Sequence, residues 1–291
     1  MPNVRVMTDN VACIPSNMAE QNQIAIVPTA NILFDGKAYT EGIDITAAEA
    51  YELIVKDPDK FETSAVSPGL LIGEYRRLSA ESQEILLITL SSKLSAFFNT
   101  ASVAAEQFQK ESPQTTVRVV DSRTCAGAQG LVALAVAKVA AKGVGLHRLV
   151  SLVDEVRQKT GGLMLLDTLR YIYRTGRMTK DEALQAAKLN IKPVNRMTDE
   201  GTVEPAEIVR KRTDGYSKML DLIKKEAETD ALHFMVSHAN APQFAEAFVK
   251  QLRKEFNCLS IIISDYSPVM GYGAGPGAIF VGFQPELGLT K

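Results

Sequence analysis

The chain is poor in cysteine and histidine. Its three cysteines, Cys13, Cys125 and Cys258, stand far apart and form no CxxC pair. That spacing argues against a disulfide framework and a thiolate metal clip, and it predicts buried free thiols in a reducing compartment. The three histidines are His147, His233 and His238, and none joins a cysteine at zinc spacing. His147 reads as helical and the other two bracket one strand, so all three are expected to be structural. There is no GxxxxGK[ST] phosphate loop, no HExxH and no GxSxG nucleophile elbow. Net charge is also scarce, at −2 for 291 residues. No basic field for nucleic acid and no polybasic membrane anchor is available. The most apolar helix candidate, Leu131–Ala141, is interrupted by Lys138 and is too short to cross a bilayer. The opening Met-Pro-Asn-Val-Arg-Val lacks the charged and then apolar layout of a secretory leader. A soluble cytoplasmic protein without stable membrane insertion is therefore expected.

Several short β-branched runs are present, separated by longer helical patterns. The strand candidates are Val4–Thr8, Ile24–Val27, Ile85–Leu90, Val117–Val120, Leu163–Leu166, Leu232–Val236, Leu259–Ser264 and Ala278–Phe283. Apolar residues on consecutive positions suit a sheet covered on both faces, as parallel sheets are. Ser67-Pro68 supplies an N-cap followed by proline at the first helical position. Phe97, Ala101, Ala104, Ala105 and Phe108 fall on one helical face, and so do Phe244, Phe248 and Leu252. This alternation predicts an α/β fold. Lys159-Thr160-Gly161-Gly162 separates a helix from a strand and suggests two α/β domains, residues 1–158 and 159–291.

Two segments are rich in hydroxyls. Thr63-Ser64-Ala65-Val66-Ser67 precedes a helix, and Ser91-Ser92-Lys93-Leu94-Ser95 follows a strand and opens one, with Ser95 a candidate N-cap. Loops at the carboxyl ends of strands in open α/β sheets are common ligand sites. A helix N-terminus offers free N–H groups to an anion. Capping and turn chemistry would use the same residues. A third segment, Ser267 to Ala278, carries alternating glycines at Gly271, Gly273, Gly275 and Gly277. These suit either close approach to a ligand or plain tight turns. The fourth is the basic run Arg210-Lys211-Arg212, which reads as a solvated face or as a source of one cation for a bound anion.

Taken in order, these segments resemble the DegV family. Met7-Thr8-Asp9-Asn10 resembles its Thr-Asp-Ser strand end. Tyr39-Thr40-Glu41-Gly42-Ile43-Asp44-Ile45 resembles Tyr-x-Asp-Gly-x-Asp-Ile. Thr63-Ser64 followed by Ser67-Pro68 resembles Thr-Ser-Gln-Pro-Ser, and Ser91-Ser92-Lys93-Leu94-Ser95 resembles Ser-Ser-x-Leu-Ser. Val120-Asp121-Ser122 with Gly127 and Gly130, the stretch Leu169 to Met178, Lys192-Pro193 and Gly275-Pro276-Gly277-Ala278 extend the likeness over essentially the whole chain.

The resemblance implies a lipid-binding protein with a long-chain fatty acid buried at or near the junction of two domains. It implies no other cofactor and no metal. Thr63 and Ser95 would hold the carboxylate, with Ser64 and Ser92 as substitutes and Arg210 acting from farther away. Some members present the acid to a fatty-acid kinase, and in them the residue aligned with Arg170 faces that partner. Such a protein is a carrier and not an enzyme. One departure concerns the head group: the family often has His in Gly-x-His-x-Gly-Pro-Gly, and this chain has Gly273 there, leaving Tyr272 or water to substitute.

The energetics suit that reading. Burying a sixteen-carbon tail at ~0.8 kcal/mol per methylene gives roughly 11 kcal/mol gross, from which ordering the ligand subtracts a large part. The carboxylate must find donors or take a proton. The competing reading is a small-molecule phosphotransferase or hydrolase that uses the hydroxyl and glycine loops.

Overall fold

The computed structural model describes residues 4–288. Met1–Asn3, part of the opening on which the leader reading rests, lie outside the described residues, as do 289–291. The first half of the chain runs β1 (Val4–Asp9), α1 (Ser16–Gln21), β2 (Ile24–Val27), β3 (Ala30–Phe34), β4 (Lys37–Tyr39), α2 (Ala47–Lys56), β5 (Phe61–Ala65), α3 (Pro68–Ser79), β6 (Glu84–Thr89), α4 (Phe97–Glu111), β7 (Thr116–Asp121), α5 (Ala126–Ala140) and α6 (Leu146–Gln158). The second half runs β8 (Gly161–Leu165), a 3-10 turn (Ile172–Thr175), α7 (Lys180–Lys188), β9 (Lys192–Met197), β10 (Val203–Val209), α8 (Arg212–Glu226), β11 (Ala231–His238), α9 (Pro242–Glu255), β12 (Asn257–Asp265), α10 (Pro268–Ala274) and β13 (Ile279–Pro285).

All eight predicted strands form. β1, β2, β6 and β7 make one parallel sheet in the order β2-β1-β6-β7. The second sheet, β10-β9-β8-β13-β11-β12, departs from the parallel expectation, because only β11 and β12 run parallel and its other pairs are antiparallel. Helices α5, α8 and α9 pack on this sheet, and its central strands β8, β13 and β11 are buried on consecutive residues for the same reason. A third sheet, β4-β3-β5, was not visible in the sequence pattern. It is short, and β5 carries Glu62, Thr63 and Ser64 in five residues.

α5 is the element between the two large sheets. Every residue from Ala126 to Ala140 except Lys138 is buried, as expected of a helix that is apolar all round. Its glycines let it approach closely. A Cβ on Gly127 would lie 2.5 Å from the Met235 carbonyl oxygen on β11, and one on Gly130 would lie 2.5 Å from the Ala12 carbonyl oxygen. The chain crosses from the first sheet to the second between α6 and β8, yet one continuous core joins the halves, running from Val4 through α5 to Met235, Tyr266 and Phe280. α3 begins as the sequence predicts, with the Ser67 hydroxyl accepting from Leu70 N at 3.4 Å and Pro68 in the first turn. Among the described residues no helix is long and apolar enough to cross a membrane.

Candidate functional site

A cavity of about 560 Å³ opens between the three-stranded sheet, the start of α4, α10 and the β8-β9-β10 edge of the large sheet. Its wall is mostly apolar, with Val66, Leu94, Phe97, Met164, Leu166, Pro193, Val269 and Met270 among its residues. Hydroxyls on β5 and around the start of α4 face it: Thr63, Ser64, Ser95 and Thr100 line the cavity, and so does Thr29. β5 carries Thr63 and Ser64 opposite Ile32 and Asn31 of β3.

The Ser95 oxygen accepts from Phe97 N at 3.2 Å. The cap position falls on Ala96, one residue later than predicted, because α4 starts at Phe97. With its lone pair engaged by that N–H, the Ser95 hydroxyl keeps its proton free to donate. Among the described residues no protein group bonds the side-chain hydroxyls of Thr63 or Ser64. The Ser95 hydroxyl at the positive end of a fifteen-residue helix, with Thr63 and Ser64 lining the same cavity, suits a carboxylate.

Buried carboxyls set the geometry behind this end. Asp9, at the end of β1, accepts from Leu90 N at 2.8 Å, from Val11 N at 3.1 Å and from the Gln129 amide at 3.1 Å. It thereby fixes the strand end from which the Ser91–Ser95 loop departs. Burial outweighs these bonds and raises its pKa to about 6. Thr29 Oγ1 donates to Asn10 Oδ1 at 2.8 Å, and Asn10 Nδ2 donates to Glu41 at 2.8 Å. The same Glu41 oxygen accepts from Ser267 Oγ at 2.6 Å. Burial raises the Glu41 pKa to about 7. This relay joins a cavity-lining threonine to the start of α10, which supplies another wall. Ser91 Oγ donates to the Gly201 carbonyl at 2.7 Å and ties the same loop to the β9-β10 turn.

The remaining sequence-predicted residues separate into two groups. Tyr272 and Gly273 line the cavity. Ser92, Arg210 and Arg170 do not line it, and all three are exposed. Ser92 N donates to Asp121 at 3.2 Å. In the basic run the engaged cation is Arg212, which pairs with Asp167 at 2.5 Å, donates to the Gly277 carbonyl at 2.9 Å and lies 3.5 Å over the Phe244 ring. Arg177 is the only charged side chain among the described cavity-lining residues. It was legible in the Thr-Gly-Arg-Met stretch but carried no assigned role. The glycine run is not a string of turns. Gly271 and Gly273 sit inside α10, and only Gly275 and Gly277 hold positive φ, at +77° and +89°. Gly271 admits the Tyr51 hydroxyl, which donates to the Tyr266 carbonyl at 2.8 Å. Gly273 lies against the Thr175 methyl, so any side chain at 273 would collide with it.

Cys13 and Cys125 are buried and unpaired, and burial pushes the Cys125 thiol up to about 12 and the Cys13 thiol higher. Neither is a nucleophile in that state. Cys258 is half-buried and also unpaired. No cluster of His, Cys, Asp or Glu among the described residues could hold a metal. One arrangement escaped the sequence reading. His233 lies 2.8 Å from Ser260 Oγ and 3.1 Å from Glu286. Ser260 is its register partner on β12, so cross-strand pairing explains the first contact. The Glu286 side chain is 72% exposed, too wet to hold the ring firmly.

An α/β protein with an internal apolar cavity and a hydroxyl-lined end at a helix N-terminus is the class that fold and site define. The model of the DegV family of uncharacterised proteins matches residues 3–286, and the chain belongs to that family. A DegV domain-containing protein of Streptomyces coelicolor is 30% identical over 280 residues, covering 96% of this chain and 97% of the relative. Protein DegV of Bacillus subtilis is 26% identical over 95% of this chain and 97% of its own. Among solved structures, the fatty-acid-binding DegV of Bacillus subtilis superposes with a TM-score of 0.85 at 25% identity, covering 98% of this chain and 100% of that one. A stearic-acid-binding protein from Eubacterium ventriosum superposes at 0.86 with 22% identity, over 97% and 98% of the two chains.

Proposed function

We propose that this protein is a carrier for a long-chain fatty acid, held between lobes 1–158 and 159–291. The observation that carries the reading is the cavity itself: an apolar chamber of about 560 Å³ with unclaimed hydroxyls at Thr63 and Ser64, and that of Ser95, where α4 begins. Removing a tail from water supplies the affinity. The hydroxyls meet the carboxylate, which would otherwise be too costly to bury. The two relatives described above whose structures carry fatty-acid-binding names share the fold. Such a carrier needs no catalytic base and no cofactor beyond its ligand.

Mass spectrometry of the native protein after bacterial expression is expected to find a co-purified C14–C18 acid. Thr63→Ala combined with Ser95→Ala should weaken uptake by about a hundredfold or more, since each hydrogen bond to a charged group contributes about 1.5–3 kcal/mol. Unchanged affinity would remove both residues from the site. We further propose that the loaded carrier presents its ligand to a fatty-acid kinase in the cytoplasm through the surface around Arg170. That residue is exposed just before the cavity-lining 3-10 turn. Arg170→Glu should lower kinase coupling while lipid uptake persists, and full coupling would dismiss Arg170 from the interface.

A further inference from the structure

β12 is the last strand of the large sheet and, at nine residues, the longest among the described residues. β11 takes up one side of it, and among the described residues no strand pairs with the other side. A free strand edge invites a further chain to add to the sheet, and proteins blunt such edges with charge, proline, irregularity or shortness. The other outer strands of this chain are blunted in those ways. β10 carries Glu204, Pro205 and Glu207 with a break in register, β2 has four residues, β4 has three with Lys37, β5 carries Glu62 and β7 carries Arg118. β12 has no proline and no charge before Asp265, and its Leu259 and Ile263 are 42% and 39% exposed. Its one irregularity falls at Leu259 and leaves Ser260–Asp265 in unbroken register.

That regular stretch is complementary to itself. Ser260-Ile261-Ile262-Ile263-Ser264 reads the same in both directions. Its side chains alternate between the two faces of the sheet. Ile262 packs on the core around α5, and on that face Ser260 and Ser264 contact His233 and Ser237 at 2.8 and 3.0 Å. Ile261 reaches the core under α8 and α9, and Ile263 follows on that face. Antiparallel pairing of two such segments about a twofold axis at Ile262 sets Ile261 opposite Ile263, Ser260 opposite Ser264 and Ile262 opposite its own copy. Every pair then shares a face and joins side chains of the same kind. The charges at the two ends agree with this. Asp265 closes the strand and is exposed. Arg253, in the last turn of α9, stands at the opposite end, where burial raises the Cys258 thiol and the Arg253 charge pulls it back. The twofold arrangement brings Asp265 of each copy towards Arg253 of the other, whereas a parallel pairing would set Asp265 beside Asp265.

We propose that the protein forms a twofold-symmetric dimer in which β12 of one copy pairs antiparallel with β12 of a second, joining the two six-stranded sheets into one. The occupant of the edge is a second copy of this chain because the edge matches itself in side chain and in charge, the condition an isologous interface must meet. The cavity opens on the β8-β9-β10 side of the sheet, and β12 is the opposite edge. Pairing at β12 therefore leaves the cavity of each copy clear.

Sedimentation velocity of the full-length protein across a dilution series tests this. The expected result is a reversible equilibrium that moves from one chain mass to twice that mass as concentration rises. Ile263→Lys puts a charge into the pairing on both sides of the axis and should raise the dissociation constant about tenfold or more. Asp265→Arg and Arg253→Asp should each weaken the dimer about threefold, and the two changes together should restore it. If a circular-dichroism melt shows that Ile263→Lys does not fold, the charge exchange decides alone. A chain that stays monomeric at every concentration would overturn the inference, whether or not an added extended peptide binds the edge. So would a dimer indifferent to a folded Ile263→Lys, or one that the charge exchange fails to restore.

Discussion

Thr175 and Gly273 limit each other. The threonine hydroxyl donates to the Ile172 carbonyl at 2.7 Å, which turns its methyl onto the glycine. The family histidine has no room at 273 while that methyl is in place, so the head-group end must work without it. Gly273→Ala should cost about 1–3 kcal/mol through overpacking. Thr175→Ser, which deletes the methyl and keeps the hydroxyl, should restore most of the loss. Denaturant midpoints of the two single variants and the double variant check this. A Gly273→Ala protein as stable as its parent would show that the contact exerts no constraint.

At the scale of elements, hydrogen-bonded buried acids hold the segments that line the cavity. Asp9 anchors the end of β6, and Glu41 joins Asn10 to Ser267 at the head of α10. Burial raises both acids above their ordinary values of 3.8 and 4.5, to about 6 and about 7. Both therefore hold their protons better folded than unfolded. The stability this contributes is full below about pH 4 and is lost as pH rises through 6 to 7. Glu41→Gln keeps an oxygen that can accept from both Asn10 and Ser267 but cannot ionise. The melting temperature of the native protein should fall between pH 5 and pH 8, and that of Glu41→Gln should fall less. Parallel curves for the two proteins would exclude Glu41 as the titrating group.

Across the whole molecule, what the sequence disclosed depended on runs of consecutive apolar residues, which mark even the largely exposed β12. The eight strands with consecutive apolar residues were legible, and so was the start of α3 at Ser67-Pro68. β5 was hidden because Glu62, Thr63 and Ser64 interrupt it, and β9 and β10 were obscured by Pro193 and Pro205. The glycines of α10 read as tight turns or as a close approach to a ligand, because sequence alone does not reveal a neighbour such as Tyr51 pressing on a helix. At the site, the hydroxyls at 63, 64 and 95 were legible as motif residues. Arg177 stood in a recognised stretch, but its place on the cavity wall comes from the turn at Ile172–Thr175.

The carrier function rests on an aliphatic tail entering the chamber between the two lobes. Calorimetric titration of stripped protein with palmitic acid measures that directly. The expected result is saturation at one acid per chain, with a negative heat-capacity change from the apolar surface removed from water. A flat titration, with no acid retained by the protein after exchange into lipid-free buffer, would contradict the account.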